Sequence, residues 1–338
     1  MESGEDVGRR KVHSRFRLLR SARPATAALA FGLAACLALL LGSSVAHAGA
    51  PFRPVPVSVD LARMSAEDKA ALVVVSGLPA PPGVGGTIVF AATRHLDVPN
   101  NAPLFVDQEG GVVKRFRGLP PFSPASSYRR NNAAFRAGRM TGRALVGVGV
   151  DVDLAPVLDS RDGPLGSRHF RRPGLGISFA KGLLAGGTAP CAKHFPGLGS
   201  TPESTDVARV FGVVRGREVR AFRAAALAGV PCVMVSHAIY PSLGKRRASL
   251  EPRAYELLRR QGFTGVAITD SLSALGPNPR RWARMAARAG ADLILVQEAG
   301  DVRTVIDALT PLARNGKLDT AVERVIRFRR SLGFTRLP

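Results

Sequence analysis

Five short polar strings in this sequence hold the residue types that chemistry needs. They are Asp107-Gln108-Glu109-Gly110-Gly111, Gly166-Ser167-Arg168 following Asp159, Lys193-His194-Phe195-Pro196-Gly197-Leu198-Gly199, Ser236-His237, and Thr269-Asp270-Ser271. Carboxylates of this kind serve as nucleophiles or proton carriers, and the cations and imidazoles beside them orient a polar substrate. Any one string is equally consistent with a capping or ion-pair network; five on one rim are not. Metal chemistry is not expected. Of the six histidines, His13 and His47 fall in the N-terminal leader, and His95, His169, His194 and His237 show no H-x-H or H-E-x-x-H spacing. His237 reads either as a pocket residue or as a satisfied structural histidine.

These strings follow apolar runs, and the runs supply the scaffold. The apolar runs are Ala71–Ser76, Gly86–Ala91, Leu104–Val106, Val150–Val157, Pro190–Ala192, Cys232–Ser236, Val266–Thr269 and Asp292–Val296, several of them made of Val, Ile and Leu. Several lack polar alternation, as strands covered on both faces do. Helix candidates lie between or after them at Ser126–Val146, Ser178–Leu184, Arg215–Ala228, Arg253–Gln261, Pro279–Ala289 and Asp301–Leu332. About eight strands alternating with helices predict a single-domain (β/α)₈ TIM-type barrel, whose catalytic groups sit at the C-terminal strand ends. A doubly wound sheet is the alternative. It calls for a G-x-G-x-x-G or Walker loop after the first strand, and none stands there.

Together the strings resemble glycoside hydrolase family 3, in particular its single-barrel β-N-acetylhexosaminidase branch. The resemblance runs over roughly residues 60–334 and rests on DQEGG at Asp107–Gly111 and KHFPG at Lys193–Gly197. It implies a retaining mechanism through a covalent glycosyl-enzyme, no cofactor, and substrates ending in β-linked N-acetylglucosamine, commonly peptidoglycan fragments. By position, Asp270 matches the family's nucleophile, a carboxylate placed to attack an anomeric carbon. Asp107 matches the carboxylate that receives sugar hydroxyls. Arg168, Lys193 and His194 match the donors that grip the remaining hydroxyls. For Lys193 an ion pair with Asp107 or Asp159 is also expected.

The loop after KHFPG departs from the pattern. Where the branch carries an Asp-Ser-His triplet whose Asp–His pair is the acid/base, the ungapped positions here are Ser204, Thr205 and Asp206, and Leu198 stands where His is common. The proton must then come from Asp206, Glu203, His237 or solvent, and Asp206 is the candidate acid/base. A catalytically weakened glycan-binding or scaffold protein and a family 3 β-glucosidase are the competing readings. Asp270 and Arg168 speak against the first, and KHFPG on a short single barrel against the second.

The chain's 338 residues, 46% of them apolar, suffice for one large core. Its net charge of +23 favours an anionic envelope surface as a partner beside the carbohydrate substrate. No zinc-finger, RNA-binding or basic-zipper signature accompanies the charge, so nucleic acid is not expected. Seven basic residues between Arg9 and Arg23, an apolar run from Ala27 to about Val45 and an Ala46-His47-Ala48 site predict export. Residues 1–48 read as a cleaved signal peptide, with a membrane anchor or a lipoprotein modified at Cys36 as alternatives. Residues 49–60 read as a linker, and residues 61–338 as the catalytic domain. Cys191 and Cys232 lie in apolar runs where buried free thiols are expected. Export leaves a bridge between them open.

Overall fold

Runs of Val, Ile and Leu become strands where both faces find apolar cover, and all eight expected strands form. The computed structural model describes residues 9–13, 61–90, 95–99 and 101–335. Its barrel strands are β1 (Val74–Ser76), β2 (Gly86–Val89), β3 (Leu104–Val106), β4 (Val152–Asp153), β5 (Ala189–Phe195), β6 (Cys232–Val235), β7 (Val266–Thr269) and β8 (Ile294–Val296). Every residue in them is buried. Strands β1 to β7 pair in parallel in chain order, and β8 lies beside β1. An Ile268–Leu293 bridge spans the seam between β7 and β8. Side chains complete that seam: the Thr269 hydroxyl accepts the Leu295 amide at 3.0 Å, and Asp292 accepts the Ala267 amide at 2.7 Å. The same device strengthens short β4, where Asp151 and Asp153 accept the Leu104 and Gln108 amides at 2.8 and 2.9 Å. The architecture is the expected (β/α)₈ barrel.

The helices are α1 (Ala66–Leu72), α2 (Asn131–Val146), α3 (Pro173–Gly186), α4 (Gly216–Leu227), α5 (Pro252–Arg260), α6 (Pro279–Ala289), α7 (Ala299–Arg314) and α8 (Asp319–Ser331). Four differ from the sequence expectation; α3 runs over Pro173–Gly186 where Ser178–Leu184 was expected. Residues 71 and 72 end α1 instead of starting a strand, because Ser65 and Asp68 form a reciprocal capping box that starts a helix there. The stretch 301–332 is two helices, broken where Gly316 takes a φ of 68°. The helix expected from Ser126 begins only at Asn131. Among the described residues no helix follows β1 or β2.

Cys191 and Cys232 are not free thiols. Parallel pairing of β5 and β6 sets them directly opposite, 4.3 Å apart at Cα, and they form a disulfide. The leader and linker expectations fall almost entirely on residues outside the described ones. Within the leader, Arg9–His13 is described, as a strand antiparallel to His95–Pro99. No helix among the described residues is long and apolar enough to cross a membrane.

Below the barrel, the Arg329 side chain from α8 is buried. Its guanidinium donates to the Val84 and Gly85 carbonyls at 3.0 and 3.2 Å and to that of Asn101. Burial pushes its pKa down to about 10, so it stays charged at neutral pH and neutralises carbonyls at the lower ends of β2 and β3.

Helices α2 and α3 pack backbone to backbone through glycines. A Cβ on Gly138 would stand 2.1 Å from the Phe179 carbonyl oxygen, and one on Gly182 would stand 2.2 Å from that of Phe135. Neither oxygen can swing aside as a side chain would. Gly138→Ala and Gly182→Ala are therefore each expected to lower stability by about 1–3 kcal/mol through overpacking. Thermal unfolding checks this, and an unchanged midpoint would show that the helices do not approach so closely.

Candidate active site

The C-terminal strand ends converge on a cavity of about 460 Å³. Six of the residues singled out from sequence line it: Asp107, Arg168, Lys193, His194, Asp206 and Asp270. The cavity also meets Phe90, Arg115, Met234 and Gln297, which the sequence reading did not single out.

Asp107 and Glu109 follow β3, and Lys193 stands near the end of β5. The Lys193 ammonium lies 2.6 Å from Asp107 Oδ1 and 2.7 Å from Glu109 Oε1. Its partner is thus Asp107, as expected, and Glu109 rather than Asp159. Arg168, on the short helical turn Gly166–Arg168, grips both oxygens of Glu109 at 2.9 Å. Burial opposes ionisation of both carboxyls, but the Lys193 charge, helped by Arg168, holds them below their usual range. Burial likewise opposes the Lys193 charge, and the two carboxylates reverse that and raise its pKa. Arg115 reaches toward Asp107 Oδ2 at 3.6 Å, while its buried Nε has no partner among the described residues.

His194 is aimed by Asp159. Its Nδ1 lies 2.7 Å from Asp159 Oδ2, and that carboxylate also accepts the His194 and Leu198 amides. Nδ1 therefore carries a proton, and Nε2 has no partner among the described residues. Asp270 follows β7 and is partly exposed. Its Oδ1 accepts the next amide, Ser271, at 2.8 Å, and no ion pair holds it among the described residues.

His237 belongs to the frame. It is fully buried, its Nε2 donates to the Ser271 carbonyl at 2.8 Å, and its Nδ1 lies 2.6 Å from the Ser249 hydroxyl. Burial lowers its pKa, so the ring is a neutral spacer that fixes the backbone beside Asp270.

Residues 89–328 match the family model described as the glycosyl hydrolase family 3 N-terminal domain. The chain belongs to glycosyl hydrolase family 3. Among its relatives, a β-hexosaminidase of Alkalilimnicola ehrlichii is 32% identical over 286 residues, spanning 72% of this chain and 80% of that protein. A family 3 glycosyl hydrolase from Mycobacterium smegmatis shares the fold with a TM-score of 0.69 at 28% identity, over 79% of this chain and 97% of that one. A family 3 β-N-acetylglucosaminidase from a Paenibacillus species matches with a TM-score of 0.71 at 24% identity over 81% of this chain. The present chain spans 64% of that protein's length. The chain is a glycoside hydrolase.

In this family 3 chain the loop between β5 and α4 is stitched at its stems. Tyr240 donates to the Gly197 carbonyl at 2.8 Å, Glu218 accepts the Gly199 amide at 2.9 Å, and Ser200 bonds both backbone groups of Val213. A Cβ at Gly197 would stand 2.5 Å from the Glu218 carboxyl carbon, which is why glycine closes the KHFPG string. The stems present Asp206 to the cavity, exposed and bonded to the Ser204 hydroxyl at 3.1 Å. Glu203 is exposed and does not line the cavity. Leu198 is buried in the core, so it cannot stand in for an imidazole.

Beneath the network lies Asp153. Its Oδ1 accepts the Gln108 amide, and its buried Oδ2 has no partner among the described residues. Burial pushes this carboxyl up to about 8; Lys193 opposes the shift, and Asp107 and Glu109 add to it. An acid with a raised folded pKa loses stability as pH climbs from its ordinary value of 3.8 to about 8, because only the unfolded chain ionises in that window. Asp153→Asn abolishes this loss. The difference in melting temperature, variant minus parent, should therefore grow in the variant's favour between pH 4.5 and pH 8. A difference constant with pH would show that Asp153 is ionised in the folded chain.

Proposed function

We propose that the chain is an exported β-N-acetylhexosaminidase that releases terminal β-linked N-acetylglucosamine from peptidoglycan-derived glycans with retention of configuration. One observation carries the reading: among the described residues no ion pair holds Asp270, in a cavity where the carboxylate of Asp107 is tied up in ion pairs. The β-hexosaminidase names of relatives such as that of Alkalilimnicola ehrlichii support the sugar assignment.

The roles follow from the geometry. Asp107 accepts sugar hydroxyls, and Lys193, Arg168, Arg115 and His194 Nε2 donate to others, so the ring is oriented before the bond breaks. Asp270 attacks the anomeric carbon while the leaving oxygen takes a proton from Asp206. Asp206 then deprotonates a water, and the water displaces Asp270 from the glycosyl-enzyme. Asp206 is chosen because the other cavity carboxylates are the nucleophile and the ion-paired Asp107. It is exposed, so the bound sugar itself supplies the desolvation that a carboxyl acid needs.

Asp270→Asn is expected to lower turnover by orders of magnitude without unfolding the chain, and a fluorinated-sugar inactivator should label the peptide that contains Asp270. Asp206→Ala should cripple natural disaccharides, largely spare aryl glycosides with good leaving groups, and respond to azide with a β-azide product. Equal losses on both substrate classes would remove the proton-carrier role from Asp206. For export, the secreted protein should begin at Gly49 and remain strongly basic, associating with anionic wall material in a salt-dependent way. An intact N-terminus in the membrane fraction, or lipid on Cys36, would overturn cleavage.

A further inference from the structure

A second cavity, of about 220 Å³, opens on the catalytic face between α3 and α4. Its walls come from residues 157–162 after β4, residues 170–173 leading into α3, and the first turn of α4. Neither the nucleophile nor the sugar-gripping residues line it.

Three features point to an anion. Arg161, Arg171, Arg172 and Arg217 all face this one small space. Arg217 is paired with Asp162, but Arg161 and Arg171 make no hydrogen bond or ion pair among the described residues, and Arg172 makes only a 3.5 Å contact with the Arg129 carbonyl. Asp162 lines the same space but is already shared by Arg215 and Arg217, so the remaining guanidiniums repel one another, and a bound anion relieves that repulsion. Second, helices α3 and α4 both begin here with N-caps, Arg172 and Arg215, whose side chains do not cap. The first turns of both helices, Pro173 of α3 and Arg217 and Glu218 of α4, line the cavity. Third, Glu218 is 1% exposed; its Oε1 accepts the Ser160 and Gly199 amides at 2.9 Å, while its Oε2 has no partner among the described residues. Burial raises the pKa of this carboxyl.

We propose that this cavity is a binding site for a phosphate-class oxyanion, held by Arg161, Arg171 and Arg172. The same chemistry is offered by free phosphate and by phosphate esters along an anionic polymer. Occupancy would be felt at the reaction centre, because the segment that carries Arg161 begins at Asp159, the residue that aims His194.

The test is a binding measurement on the full chain, so it stands apart from the sugar specificity proposed above. Inorganic phosphate is titrated against sodium chloride at matched ionic strength, and the melting temperature is followed. A saturable, phosphate-specific rise is expected. In an Arg161→Gln/Arg171→Gln/Arg172→Gln variant the half-saturating concentration should increase by at least about tenfold, with aryl-glycoside turnover in phosphate-free buffer unchanged. These arginines are exposed, so the variant folds. No specific rise, or the same rise in the variant, would overturn the site; the latter would place the anion on the cations of the catalytic cavity. A glycerol-phosphate oligomer, run in parallel, separates the sources. Tighter binding than inorganic phosphate assigns the site to a polymer, and weaker binding assigns it to the free ion.

Discussion

The mouth of the barrel depends on one buried ammonium. Lys193 sits between Asp107 and Glu109, and Arg168 closes the chain of charges on the far side of Glu109. Removing one member of such a group leaves an unpaired charge in a poorly solvated site, which typically costs 3–5 kcal/mol. The network joins the ends of β3 and β5, which are not neighbours, and draws in the loop that follows β4. It also sets the state of its surroundings. With Lys193 already shared by two carboxylates, a third carboxyl beneath them, Asp153, is left in its neutral form.

A second principle governs the loops. Carboxylates at their bases accept backbone amides: Asp159 takes two, from His194 and Leu198, and Glu218 takes two, from Ser160 and Gly199. Fixing the stems in this way leaves the segment that carries Asp206 free to face solvent without loosening Lys193 and His194 below it. Catalytic aim and loop exposure are thereby separated within one connection of the barrel.

Much of this was legible in the sequence. Apolar runs, several of them of Val, Ile and Leu, announced about eight buried strands, and polar strings after them announced the rim, so Asp107, Arg168, Lys193, His194, Asp206 and Asp270 fall around one cavity. What was not legible depends on register or on distant partners. Cys191 and Cys232 face each other only because β5 and β6 pair in that register. Arg115 reads as one more arginine in a basic chain until the fold turns it toward Asp107. Helix α1 hid behind the apolar run at its end, although Ser65 and Asp68 carried the capping signal three residues apart. The ambiguity of His237 disappears only when both of its ring nitrogens are seen to be occupied.

Arg329 bears on the order in which the molecule is assembled. The carbonyls it neutralises belong to residues 84, 85 and 101, some 244 positions earlier in the chain for Gly85. The lower ends of β2 and β3 therefore wait for the last turn of the last helix. A contact of that span is slow to form, since a long loop must close before it is rewarded. Until α8 arrives, the first half of the barrel holds strands with an unfinished floor, so completion of the fold is a late, whole-chain event rather than a gradual one.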